Sequence, residues 1–191
     1  MMSAPNDPLH QDPTIPPGWD YDPSRWGERL PIVGLALVGF CIAMYLSLYQ
    51  WHVIEHVFEP FFGGGSELVL RGSAVAHLSE RYLHVPDAFL GAAAYAAEVV
   101  LDLMGGGRGR WRTAPRTCLL FGAVAFATAA AGIALTLAQP LVAHAWCTLC
   151  LASAAVSVAI ACLAMREVRA ALQHLASRRP RRADLTPGHA S

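Results

Sequence analysis

Four long apolar runs dominate the chain: Leu30 to Tyr49, Ala88 to Met104, Thr117 to Ala138 and Ala145 to Met165. A helix of about 20 residues crosses roughly 30 Å of hydrocarbon, so each run is read as one span. Lipid leaves no partner for open backbone groups, and the runs lack the alternation of barrel strands. The pattern therefore predicts an all-α integral membrane four-helix bundle. The second run is the weakest, because it is short and carries Glu98 and Asp102, but Gly105, Gly106 and Gly107 end it cleanly. Trp26, Trp51, Trp111 and Trp146 flank the runs, where amphipathic rings suit the membrane interface.

Between and beyond these runs the chain changes character. Residues 1–29 are rich in proline and scattered acids and read as a disordered cytoplasmic tail. They do not resemble a signal peptide, since the first apolar run starts late and is as long as a span. Residues 166–191 read as a basic cytoplasmic tail, leaving 30–165 as the membrane domain. The loop from Val53 to Val85 is expected to cap the outer end of the bundle. In it Phe58, Phe61 and Phe62 lie at the interface and Val69 to Tyr82 forms a short amphipathic helix. Gly63 to Gly65 are either a hinge for a lid or an ordinary turn.

Composition agrees with a bilayer as solvent: 54% of residues are apolar and 15% charged. All 14 basic residues are arginines. Twelve of them fall before the first run, between the second and third, or after the fourth, and only Arg71 and Arg81 fall on the other side. Basic residues mark cytoplasmic segments, so both termini are expected in the cytoplasm of a multi-pass cell-membrane protein. The terminal arginines then contact anionic lipid, and nothing points to nucleic acid.

Candidate chemistry lies in the five cysteines. Cys147 and Cys150 open the fourth run on the outer side, where disulfides persist. Their spacing brings two helical α-carbons to about 5–6 Å, within disulfide range. Cys147, in the first helical turn, is the expected nucleophile, because unpaired amides there favour a thiolate. Cys150, one turn deeper, would face a lipid-soluble partner. A static structural disulfide is the competing reading. Cys41, Cys118 and Cys162 read as packing residues. His144 adds a third possible zinc ligand, but no fourth is evident and no metal site is expected. Glu98 is read either as the partner of a basic or polar group inside the protein or as a proton carrier.

Three segments resemble the vitamin K epoxide reductase-like membrane proteins: Tyr49-Gln50, Val85 to Gly91 running on to Tyr95, and Trp146-Cys147-Thr148-Leu149-Cys150. The resemblance covers about residues 30–165. It implies four helices around a quinone, menaquinone or ubiquinone, with Cys150 passing electrons to the ring and Cys147 exchanging with an extracytoplasmic thioredoxin-like thiol protein. It also implies Asp87, Phe89 and Tyr95 as quinone-binding residues. Asp87 either donates a hydrogen bond to a quinone oxygen or caps the second helix. Many such proteins carry two further cysteines in the first loop, and this loop has none. Either Gly63 to Glu67 or Arg71 to Val75 stands at the corresponding place. The expected function is a quinone-linked thiol-disulfide oxidoreductase supporting extracytoplasmic disulfide formation. The alternative is a noncatalytic assembly module that keeps the fold and a structural Cys147–Cys150 disulfide.

Overall fold

The computed structural model describes residues 12–72 and 85–178. Its elements are α1 (Trp26–Gln50), α2 (Gly65–Gly72), α3 (Asp87–Leu103), α4 (Arg110–Thr113), α5 (Pro115–Val142) and α6 (Thr148–Ser177). No strand occurs among the described residues. Among the described residues three helices, α1, α5 and α6, are long and apolar enough to cross a membrane. The 17-residue α3 packs along α1 and against α5, while α6 packs along α5 and α1.

Residues recurring at three- and four-residue steps explain the packing. On α1, Ile32, Ala36, Gly39, Ala43 and Leu46 form one buried stripe. Gly39 is required there: a Cβ at that position would collide with the ring of Tyr95 on α3. Gly122 on α5 likewise admits Val168 of α6, so the small residues of the third run do serve close helix contact. Outward-facing Leu37, Val38, Leu120, Phe126 and Ile133 leave an apolar exterior. α3 is inverted in polarity, burying Tyr95, Glu98 and Asp102 while exposing Leu90, Val100 and Leu103. Water would reject that arrangement, and lipid favours it.

Three sequence expectations need correction. Residues 12–25 are held by specific contacts and do not form a disordered tail. Asp22 accepts hydrogen bonds from the Ser24 and Gly109 amides at 2.9 Å each, Ser24 donates to Glu167 at 2.6 Å, and the Trp111 indole donates to the Thr14 carbonyl at 2.7 Å. α6 continues past Met165 to Ser177, because Ala170 and Ala171 still pack against Trp111 and Cys118. Finally, Arg29 and Arg110 are buried and paired with acids, so they are more than surface markers of topology. The expected helix Val69 to Tyr82 falls partly on α2 and partly outside the described residues.

Candidate functional site

Cys147 and Cys150 form a disulfide with α-carbons 5.2 Å apart. The helix begins at Thr148, three residues after the start of the apolar run: Cys147 is the extended N-cap of α6, with φ −111° and ψ 112°. Its Sγ accepts the Cys150 amide hydrogen at 3.1 Å, a contact that would stabilise a Cys147 thiolate on reduction. The Cys147 amide donates to Gln139 Oε1 at 3.1 Å.

The two sulfurs lie in different surroundings. Cys147 is fully buried, whereas Cys150 lines a cavity of 390 Å³. Ligand pockets span roughly 300–1,000 Å³, so this one has room for a ring system. Apolar walls come from Ala43, Leu46, Leu70, Leu90, Ala131 and Leu135. Polar groups are few: Asp87 and Gln139 line it toward the level of Cys150, and Tyr95, Ser153, Ser157 and Thr128 line it farther in. Cys150, Ser153 and Ser157 share one stripe of α6 at steps of three and four residues.

Tyr95 donates to the Ser153 carbonyl at 2.7 Å and meets Ser157 Oγ at 2.6 Å, so its hydroxyl is tied to α6. Asp87 lines the cavity and also receives the Gln50 side-chain amide and its neighbour Ala88's amide, the latter at 2.9 Å. Gln50 thus clamps the start of α3 and gives the Tyr49-Gln50 segment a physical purpose. Phe89 is not brought into the cavity; it packs against Trp51 with ring centroids 5.1 Å apart.

Around Cys147, which is fully buried, the segment leading into α2 is held against the neighbouring residues Trp146 and Thr148. Of the two stretches standing where the family carries loop cysteines, Arg71 to Val75 lies only partly within the described residues, and Gly63 to Glu67 lies against Trp146, the neighbour of Cys147: a Cβ on Gly65 would strike the Trp146 carbonyl oxygen. Glu59 fastens this loop to α6. Its carboxylate receives the Ser66 and Thr148 hydroxyls, the Thr148 amide at 3.1 Å and the Phe61 amide at 3.4 Å. Burial raises the Glu59 pKa, but these donors outweigh it and hold the carboxyl at about 2. Glu59, Gln50 and Gln139 were missed as site residues. A lone acid among the loop phenylalanines and lone amides closing two apolar runs were the available signals.

The Glu59 latch carries a pH prediction. A carboxyl at about 2 when folded and 4.5 when free stabilises the fold fully above 4.5. That contribution is lost as pH falls from 4.5 toward 2. The melting temperature of wild type should exceed that of Glu59→Gln at neutral pH, with the gap closing across this window. A gap independent of pH would show that the carboxylate is not the fastener.

A model of the Vitamin K epoxide reductase family matches residues 30–165 of the chain. No curated protein matches it.

Proposed function

The chain belongs to the vitamin K epoxide reductase family, a family of membrane oxidoreductases, and from that premise we propose that it is a quinone-linked thiol-disulfide oxidoreductase. The observation that supports this reading is the asymmetry of one disulfide: Cys150 lines an apolar cavity, whereas Cys147 does not line it and is fully buried next to the residues that hold the segment leading into α2. In this reading α3 is the fourth span of a four-helix bundle, the loop from Val53 to Val85 is its outer cap, and the arginine-rich ends face the cytoplasm of a cell-membrane protein. Residues 30–165 are the catalytic unit.

The cavity suits a lipid quinone, either menaquinone or ubiquinone, in size and in its apolar walls. A bound quinone would accept two electrons and two protons. Asp87, half-buried at the start of α3, would orient a ring oxygen, and Tyr95, packed on α1 and tied to α6, would hold the inner wall. Phe89 acts by supporting Trp51 rather than by touching the ring. A thiolate of an extracytoplasmic, thioredoxin-like protein attacks Cys147 Sγ, and Cys150 leaves as thiolate. The partner's second thiol then releases Cys147, so the partner gains a disulfide and this chain becomes a dithiol. Two electrons leave through Cys150, two protons are released, and the Cys147–Cys150 bond re-forms.

The deciding experiment is quinone reduction by the dithiol form in detergent. Wild type should reduce one quinone per disulfide re-formed, and Cys147→Ser and Cys150→Ser should each reduce none. If the reduced wild type turns over neither menaquinone nor ubiquinone analogues and its dithiol stays reduced, the chain is a noncatalytic module in which the Cys147–Cys150 disulfide is structural.

A further inference from the structure

Tyr95, Glu98 and Asp102 follow one another down the buried face of α3. Both acids have no solvent exposure. Asp102 is accounted for by charge, with Arg29 at 3.5 Å and Arg110 at 3.4 Å. Glu98 is not: neither carboxyl oxygen has a hydrogen-bond partner among the described residues. Its polar neighbour is the Thr128 hydroxyl. Thr128 Oγ1 already donates to the Val124 carbonyl of its own helix at 2.9 Å. An ionised Glu98 would be a buried charge with no cation paired to it among the described residues, whereas a protonated Glu98 carries no charge to compensate. A carboxyl kept only for structure would be paired.

Thr128 also lines the cavity, together with Ser157, Tyr95 and Ser153. Tyr95 links two of these oxygens, Ser153 Oγ at 2.9 Å and Ser157 Oγ at 2.6 Å. Oxygen-bearing side chains thus run from the level of Cys150 through Ser153, Tyr95, Ser157 and Thr128 to Glu98. One helical turn farther lies Asp102, whose Oδ2 is also without a partner. The charged groups around this end are Arg29 from α1, Arg110 from α4 and Glu167 from α6, while α5 contributes Thr128 and Cys118.

We propose that Glu98 is a proton relay connecting the arginine-rich face of the protein with the inner part of the cavity. This rests on the quinone reading above. When the dithiol is oxidised, two S–H bonds break, one S–S bond forms, and two electrons reach the quinone. The quinone forms two O–H bonds. Glu98 supplies one of those protons through the Thr128 side of the cavity and is reloaded from the arginine-rich face past Asp102. One thiol proton completes the second O–H bond of the quinone, and the other is released at the opposite, outer side, balancing the proton that Glu98 supplies. Turnover therefore moves charge across the membrane.

The test uses the full chain, reduced and reconstituted in one orientation into vesicles that hold a pH-sensitive dye and a short-chain quinone. Wild type should take up protons from the arginine-rich side as it turns over. Glu98→Gln should lose that uptake and slow at least tenfold, as expected when a positioned acid is removed. Glu98→Asp, which keeps the acid, should recover uptake. Infrared spectra of the quinone-free protein give an independent readout: a protonated carboxyl band, sensitive to deuterated water, present in wild type and missing in Glu98→Gln. An ionised Glu98, or a Glu98→Gln protein equal to wild type in rate and sidedness, overturns the relay. Wild type that reduces no quinone overturns the functional reading itself, whatever the infrared band shows.

Discussion

Arg110→Leu should destabilise the protein by about 3–5 kcal/mol, the usual cost of removing one partner from a buried ion group. Arg110 is fully buried and donates from Nε to Glu167 at 2.9 Å and from Nη2 to the second Glu167 oxygen. Its Nη1 donates to the carbonyls of Leu101, Asp102 and Met104 at 2.9, 2.7 and 3.0 Å. These carbonyls are the orphaned end of α3, so one guanidinium both caps α3 and clips it to α6. Leucine fills the space but takes away both guanidinium hydrogen bonds to Glu167 and strips three carbonyls of their donor. A melt in detergent should fall by on the order of 10 °C. Arg110→Lys should recover little, because an ammonium cannot reproduce the planar fork. A shift of less than 2 °C in Arg110→Leu would mean that the network is not what joins α3 to α6.

The same network marks the limit of what the sequence discloses. The apolar runs reveal their own helices because each span must satisfy its backbone internally, which makes hydropathy a local signal. The dithiol was legible for a similar reason: two cysteines three residues apart at the mouth of a span constrain each other. Asp87 and Tyr95, which the resemblance implies as quinone-binding residues, line the cavity. What escaped depends on partners far apart in the chain. Ser24 and Glu167 are 143 residues apart, and nothing in the proline-rich segment before α1 announces that contact. Arg29 and Arg110 count as topology signals by position, yet their surroundings are set by Asp102 and Glu167. Phe89 belonged to the right motif but faces Trp51, since its neighbours Ala88 and Leu90 take the cavity side. Glu98 is visible as an acid in a span; that no cation among the described residues pairs with it needed three dimensions.

Gly65→Val should unlock the loop over Cys147 and raise the alkylation rate of the reduced thiol roughly ten- to a hundredfold. Gly65 does not carry the positive φ that Gly63 and Gly64 have, at 51° and 86°, so the effect is steric rather than conformational. Its missing side chain lets the start of α2 rest on the Trp146 carbonyl oxygen, and any Cβ there must push the two apart. Overpacking of this kind costs about 1–3 kcal/mol, and each 1.4 kcal/mol is a tenfold change in the open population. Cys147 is fully buried when the loop is closed, so its reactivity follows that population. The measurement is maleimide labelling after reduction, in a background of Cys41→Ser, Cys118→Ser, Cys162→Ser and Cys150→Ser, which leaves one thiol to read. Gly106→Ala, at a positive φ of 86° far from the dithiol, controls for general loosening. If Gly65→Val labels at the wild-type rate, the loop is not the barrier between Cys147 and its partner. If it labels faster, a loop without cysteines governs access to the outer sulfur: it need not relay electrons, only lift, and the partner's thiolate then meets Cys147 directly.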